Sequence, residues 1–146
     1  MAIKSFRGKI AHDTIDTISL HTNNGSIGYK IVKFEIMPEN PTTAEFENVV
    51  KIFSVLQATT SADIDFNDQT LLAAAFTEGH GSTIYLSTES STVFDNMVVN
   101  QDIYVTNNSP QALAANYYIE LEQMQLDLNE NTVATLKDIR NIKSNE

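Results

Sequence analysis

The best candidate for a ligand site in the sequence is the acidic segment that begins at Asp63 and runs Asp-x-Asp-x-Asn-Asp to Asp68. Alternate residues of an extended segment share one side, so Asp63, Asp65 and Asn67 could present their oxygens to one calcium ion. An EF-hand loop would also need glycine in place of Asp68 and glutamate in place of Ala74. The segment is therefore not that motif. A looser calcium site between strands and a plain acidic turn remain, and the turn is the favoured interpretation.

Other residues of catalytic type lack the spacing that catalysis needs. The three histidines, His12, His21 and His80, show no metal-ligand spacing, and His80 between two glycines is typical of a turn. The chain has no cysteine, which excludes thiolate metal sites and cysteine nucleophiles. Glu120 and Glu122 on one strand face resemble the solvated side of a sheet more than a glycosidase pair. The sequence therefore predicts a protein that is not an enzyme and uses no cofactor or metal.

The element around which these residues must be arranged is the segment from Asn116 to Leu128. Apolar residues alternate with polar ones along it, which predicts a strand buried on one face, with Ile119 and Leu121 inside and the two glutamates outside. The alternation then shifts by one residue, which predicts a β-bulge near Glu122 and Gln123.

About eight short segments of this kind are separated by turn residues, and this predicts an all-β, single jelly-roll-like antiparallel β-sandwich. Asn24-Gly25 is typical of a hairpin with a type I′ turn, and residues 78–81 (Glu-Gly-His-Gly) are typical of a second hairpin turn. The sandwich is expected to span residues 14–128. Residues 1–13 are expected to form a basic N-terminal arm, and residues 129–146 an extended or short-helical C-terminal arm.

Charge is unevenly distributed along the chain. The formal net charge is -10, yet basic residues lie near both termini and none occurs between Ile52 and Leu136. An acidic body repels phosphate backbones, so nucleic acid is not an expected partner. No apolar run is long enough to span a bilayer, and the first residues have no apolar signal core, so no membrane attachment or secretion by that route is expected.

The termini combine basic residues with apolar ones, which indicates a docking role. The predicted partner-binding residues are Lys4, Phe6, Arg7, Lys9, Lys137, Ile139, Arg140 and Ile142. Apolar side chains between the charges would then bury area that an isolated monomer leaves in water. The alternative, that both ends pack on their own acidic domain, carries equal weight.

Several stretches together resemble a set of small proteins of marine tailed phages. They are Gly28–Phe34, Asp65–Phe66 with Thr70–Ala75, Phe94–Asn96, Asn100–Thr106, Asn116–Glu122 and the tail Asn129–Asn141. The resemblance implies a virion structural protein, such as a capsid cement or decoration protein made in the host cytoplasm. Its implied partners are the major capsid protein and further copies of itself, with a trimer as one arrangement. The alternative is a receptor- or glycan-binding module of a head fibre or tail.

Overall fold

The structure is a computed structural model that describes residues 2–81 and 86–127. Within these ranges every regular element is a strand, and there is no helix that could cross a membrane. The strands are β1 (Ala2–Ile10), β2 (Thr14–Ile18), β3 (Ile27–Pro38), β4 (Glu45–Phe53), β5 (Leu71–Gly81), β6 (Leu86–Phe94), β7 (Ile103–Asn108) and β8 (Ala115–Gln125).

The eight strands form two antiparallel sheets that pack as a sandwich. One sheet has the order β1-β8-β3 and the other has the order β2-β7-β4-β5-β6. The core lies between them and includes Ile10 of β1, Val50 and Ile52 of β4, Val105 of β7 and Ile119 of β8. The predicted all-β antiparallel sandwich is confirmed.

The strand pairings also show how far the fold follows a jelly roll. A jelly roll is a folded-over chain in which β1 pairs with β8, β2 with β7, β3 with β6 and β4 with β5. Three of these pairings are present. The β3–β6 pairing is not, because β6 pairs with β5 and extends the five-stranded sheet. This departure leaves β6 at the outer edge of that sheet.

Strand β8 is the centre of the three-stranded sheet, as its long alternation indicates. Ile119 and Leu121 are 0% and 1% exposed, which confirms their predicted burial. Glu120 and Glu122 are half-buried, because their neighbours on β1 and β3 flank them on both sides. The bulge is not in β8: the register with β1 is regular, and the shift lies between Ile31 and Lys33 of β3.

Replacing Leu121 with alanine tests this register. We expect Leu121→Ala to lower the free energy of unfolding by about 2 to 5 kcal/mol, because the neighbouring core cannot fully close the cavity left by the missing methyl groups. Urea unfolding followed by circular dichroism measures the change. Glu120→Ala is the matched control on the opposite face. A larger loss for the control than for Leu121→Ala would mean that the register of β8 is wrong.

The predicted N-terminal arm is largely a strand instead. Residues 2–10 pair with β8 over their full length, from Ala2 opposite Gln123 to Ile10 opposite Ala115. Ile10 belongs to the core, and Phe6 is partly buried against it. Residues 2–10 are therefore part of the sandwich. The predicted C-terminal arm, residues 129–146, lies outside the described residues.

Neither predicted hairpin turn lies where the sequence placed it: the first segment joins two different sheets, and the second belongs to a strand of a β5–β6 hairpin that does form. Asn24-Gly25 connects β2 to β3, which belong to different sheets, so the segment crosses between layers. Only Gly25 has a positive φ there, at 64°, whereas a type I′ turn needs positive φ at both central residues. Residues 78–81 continue β5, and His80 pairs with Glu45 of β4 and Ser87 of β6.

Candidate binding surface

The two sheets carry very different charges. Six lysines and arginines fall within the described residues, and five of them lie on β1 and β3 of the three-stranded sheet. They are Lys4, Arg7, Lys9, Lys30 and Lys33. The sixth, Lys51 of β4, is 6% exposed and donates a hydrogen bond to the backbone oxygen of Asp63 at 2.7 Å. Burial lowers the pKa of Lys51, although Asp63 and Asp68 oppose the shift. Among the described residues, the solvent-accessible lysines and arginines therefore all lie on the three-stranded sheet.

Register places four of these cations on the outer face of the three-stranded sheet. Arg7, Tyr118 and Glu35 form one row across β1, β8 and β3, and Lys9, Asn116 and Met37 form the next. Lys33 and Lys30 lie opposite Glu120 and Glu122. Since residues directly opposite each other share a face, all of these side chains point away from the core. We call this surface the outer face.

Most cations of the outer face have a carboxylate partner. Lys9 Nζ lies 2.7 Å from Glu39 Oε1, and Lys30 Nζ lies 3.4 Å from Glu122 Oε2. The hydrogen bond and charge of Lys9 lower the pKa of Glu39. Lys33 is 3.8 Å from Glu35. Arg7 forms no ion pair with any residue within 2–81 or 86–127. Its guanidinium is thus the cation of this face most available to an external anion.

A groove of about 470 Å³ runs along the outer face beside Arg7. Arg7 and Lys9 line one side, Glu35 and Met37 the other, and the β8 residues Asn116–Tyr118 form the floor. The Tyr118 hydroxyl donates a hydrogen bond to Glu120 Oε1 at 2.8 Å, and this bond raises the pKa of Tyr118. Met37 is 64% exposed. The groove therefore combines an aromatic ring, an apolar side chain and both signs of charge.

The predicted partner-binding residues divide into three groups. Arg7 and Lys9 lie on the outer face. Lys4 and Phe6 point to the other side of β1, where Phe6 packs on the core and Lys4 Nζ stands 5.9 Å from the centre of the Tyr29 ring. Phe6 is thus partly buried against the core, and its role in partner binding stays a prediction. Lys137, Ile139, Arg140 and Ile142 lie outside the described residues.

The sequence did not single out Lys30, Lys33 and Asn116 for this surface. They join Arg7 and Lys9 only through strand pairing, and pairing partners are not encoded in local alternation. For Tyr118 the local sequence does predict the outer face, because the residue lies on the polar side of the β8 alternation.

In the acidic segment after Asp63, two side chains cap their own turns. Asp65 Oδ1 accepts a hydrogen bond from the backbone N–H of Asn67 at 2.9 Å. Asp68 Oδ1 accepts from the N–H and the hydroxyl of Thr70, at 2.9 and 2.7 Å. Such Asx contacts stabilise turns. This geometry supports the acidic-turn interpretation.

Strands β4 and β5 bring together a group that the sequence analysis missed. Ligand atoms of Glu45, Glu47 and His80 all lie within 4.8 Å of one another. His80 Nε2 is also 3.7 Å from Glu78 Oε2. One imidazole with two carboxylates is a donor set that divalent cations accept. Within the described residues these are the side chains that could hold a metal. The same glutamates would also pair with a protonated His80.

A second histidine–carboxylate contact is structural. Asp102 Oδ1 lies 2.6 Å from His21 Nδ1 and accepts hydrogen bonds from the backbone N–H groups of Leu20 and His21 at 2.9 and 3.1 Å. Burial would raise the pKa of Asp102, but these hydrogen bonds outweigh it, and the pKa is lowered from 3.8. The contact fixes the chain after β2 to the start of β7.

Asp102→Asn tests the stabilising role of this carboxylate. A carboxyl whose pKa is lower in the folded state stabilises the fold above its unfolded pKa, and this stabilisation is lost as the pH falls through the folded pKa. We expect the variant to lose about 1.5 to 3 kcal/mol at neutral pH, the range for hydrogen bonds to a charged group. The difference from the wild type should shrink below a pH of about 3.8. Chemical unfolding at pH 7 and pH 3 measures both values, with the exposed Glu35→Gln as control. An equal deficit at both pH values would exclude a contribution from the carboxylate charge.

The comparisons with known proteins add no relative: no family model, curated protein or solved structure matches this chain.

Proposed function

We propose that the protein is a phage virion structural protein that decorates the capsid and stabilises the assembled shell. The proposal rests on one observation. Among the described residues, the solvent-accessible lysines and arginines all lie on one sheet of an otherwise acidic sandwich. The outer face is the docking surface in this proposal, and its partner is an acidic patch of the major capsid protein. The resemblance to small marine phage proteins supports the virion context.

The charge arrangement gives a physical mechanism for docking. An acidic partner repels the five-stranded sheet, which carries Glu45, Glu47, Glu78 and Glu89 on its strands. It attracts Arg7 and the lysines of the outer face, so the protein approaches in one orientation. Binding to the assembled shell and not to free subunits stabilises the shell by mass action. The action is association, without catalysis.

Removing the two groove cations tests this surface. We expect Arg7→Gln with Lys9→Gln to weaken attachment to the capsids of the encoding phage by about tenfold, because each exposed charge contact contributes up to about 1 kcal/mol. Wild-type attachment should also weaken as salt rises from 0.05 to 0.5 M, because screening shortens to a few ångströms. Co-sedimentation of purified protein with capsids across a salt series measures both effects.

A control separates local contact from net charge. Thr59→Glu with Gln69→Glu also makes the net charge two units more negative, but on the exposed loop between β4 and β5. This control should attach more strongly than the groove variant. If both variants attach equally well, the outer face is not the docking surface. Wild-type protein that fails to attach at any salt concentration would contradict the decoration proposal itself.

The groove favours one second candidate, a glycan-binding module of a fibre or tail. Tyr118 stands between Arg7 and Glu35 in the groove, and a tyrosine ring flanked by polar groups can stack on a sugar. Copy number discriminates the two functions. A decoration protein should approach the abundance of the major capsid protein in a quantitative gel of purified virions. A fibre-tip protein should be far less abundant.

A further inference from the structure

Strand β6 is left unusually uncovered by the sandwich. Thr92 and Ser90 lie opposite Ala75 and Thr77 of β5 and so face the same side as the core. Yet every side chain from Thr88 to Phe94 is exposed, on both faces of the strand. Of the described strands only β5 pairs with it. With these side chains in water, the strand gains little stabilisation from apolar burial.

The outer edge of β6 also lacks the usual protection. Free edges in natural proteins are commonly blocked by lysine, proline or a bulge. The segment Leu86–Phe94 has no lysine, arginine or proline, and its pairing with β5 is regular over all nine residues. Its only charge is Glu89. Among the residues that the structure describes, nothing pairs with this edge, so its row of backbone donors and acceptors can accept another strand.

We propose that β6 pairs with β6 of a second copy of this chain, antiparallel about a two-fold axis at Ser90. With that axis perpendicular to the sheet, opposite residues must share a face, so one residue must lie opposite its own copy and the axis passes midway between the two. An axis at Glu89 would place two glutamates opposite each other, which is unfavourable. An axis at Ser90 pairs all nine residues, with Thr88 opposite Thr92 and Glu89 opposite Ser91. The result is one continuous ten-stranded sheet.

The chain contains no cysteine, so single introduced cysteines can report this register. Ser90→Cys places the two new thiols directly opposite each other, with Cα atoms about 4.5–5.5 Å apart, which suits a disulfide. Thr88→Cys separates its two copies by four residues along the strands, about 13 Å, which is too far. We expect covalent dimers of Ser90→Cys under mild oxidation and none of Thr88→Cys. Mixing Thr88→Cys with Thr92→Cys should restore the cross-link.

Charge variants test the same axis without a covalent bond. Wild-type protein should run at twice the 16.2 kDa chain mass in light scattering after size exclusion. Ser90→Lys should convert it to a monomer, because two lysines then face each other. Ser91→Lys, which faces Glu89 of the partner subunit, should remain a dimer. A mixture of Ser90→Lys and Ser90→Glu should regain the dimer.

Three outcomes would overturn the proposal. The first is a monomeric wild type at all concentrations; if removal of residues 128–146 then produced a dimer, the protein's own tail would be the occupant of the edge. The second is equal behaviour of Ser90→Lys and Ser91→Lys. The third is a dimer in which Ser90→Cys does not cross-link, which would place the interface elsewhere. All tests use the protein alone, so their result is independent of capsid attachment.

Discussion

Deletion of residues 1–10 is expected to abolish the stable fold. The deletion removes β1 and exposes the entire edge of β8 that pairs with it. It also removes Ile10, which is 1% exposed in the core, and Phe6, which packs against the core. Loss of one buried isoleucine alone costs about 2 to 5 kcal/mol, and domains of this kind have only about 5 to 15 kcal/mol in total. Thermal unfolding by circular dichroism should show no cooperative transition.

The matched control keeps the strand and removes its charge. Lys4→Gln with Arg7→Gln and Lys9→Gln deletes the same three cations but leaves the backbone pairing and both apolar side chains in place. We expect this variant to unfold cooperatively, with a melting temperature near that of the wild type. If the deletion variant melts as cooperatively as the control, residues 2–10 act as the dispensable arm that the sequence indicated.

Asn107→Leu is expected to have the largest effect among single substitutions. Asn107 of β7 is 0% exposed, and its Nδ2 donates to the backbone oxygens of Ile10 and Leu113, each at 3.1 Å. Its Oδ1 accepts from Asn48 Nδ2 at 3.2 Å. Leucine fills a similar volume but leaves the Ile10 oxygen and one Asn48 N–H buried without these partners. At about 1 to 3 kcal/mol for each such group, the cost is about 2 to 6 kcal/mol.

Urea unfolding measures this loss, and a neighbouring asparagine provides the control. Asn108 is half-buried on the other face of β7 and donates to Thr60 Oγ1 at 3.0 Å. Asn108→Leu should cost about 1 kcal/mol, because its groups remain accessible to water. Equal losses for the two variants would mean that the buried hydrogen bonds of Asn107 stabilise the fold no more than the accessible bond of Asn108. A double-mutant cycle with Asn48→Leu isolates the coupling between the two amides.

The class of fold was predictable because alternation with period two is a local property of the chain. Strand β8 shows it clearly, since Tyr117, Ile119 and Leu121 are buried by the facing sheet. Strand β1 hides it. Its inward positions include Lys4 and Gly8, and a side chain at Gly8 would crowd Tyr117, whose hydroxyl oxygen lies 2.9 Å from where a Cβ would stand. A collision between residues so far apart in sequence cannot be read from local pattern, so the strand resembled an arm.

The turn predicted around His80 was wrong for a related reason. Glycines on both sides of a polar residue usually indicate a turn. Gly79 instead gives room to the Phe46 ring, which would collide with any Cβ at that position. The glycine therefore serves packing across β4 and β5. This pairing also places His80 beside Glu45 and Glu47, an arrangement invisible without the register.

The candidate binding surface was predictable in part. Basic residues near the N-terminus marked Arg7 and Lys9 as candidates from type alone. That Lys30 and Lys33 share their face depends on β3 pairing with β8, with a bulge that resets the side-chain alternation between Ile31 and Lys33. The position of such a bulge depends on tertiary packing. The alternation in the sequence wrongly predicted it in β8.

The pairing of the first strand with the last sets the order of events during synthesis. β1 leaves the ribosome well before its partner β8, which begins at Ala115. At about 5 to 20 residues per second, β1 must wait on the order of ten seconds for its neighbour. High contact order of this kind also slows folding to milliseconds or longer. The nascent chain therefore carries Phe6 and Ile10 without their β8 neighbours until β8 has been synthesised, and the sandwich can close only after that point.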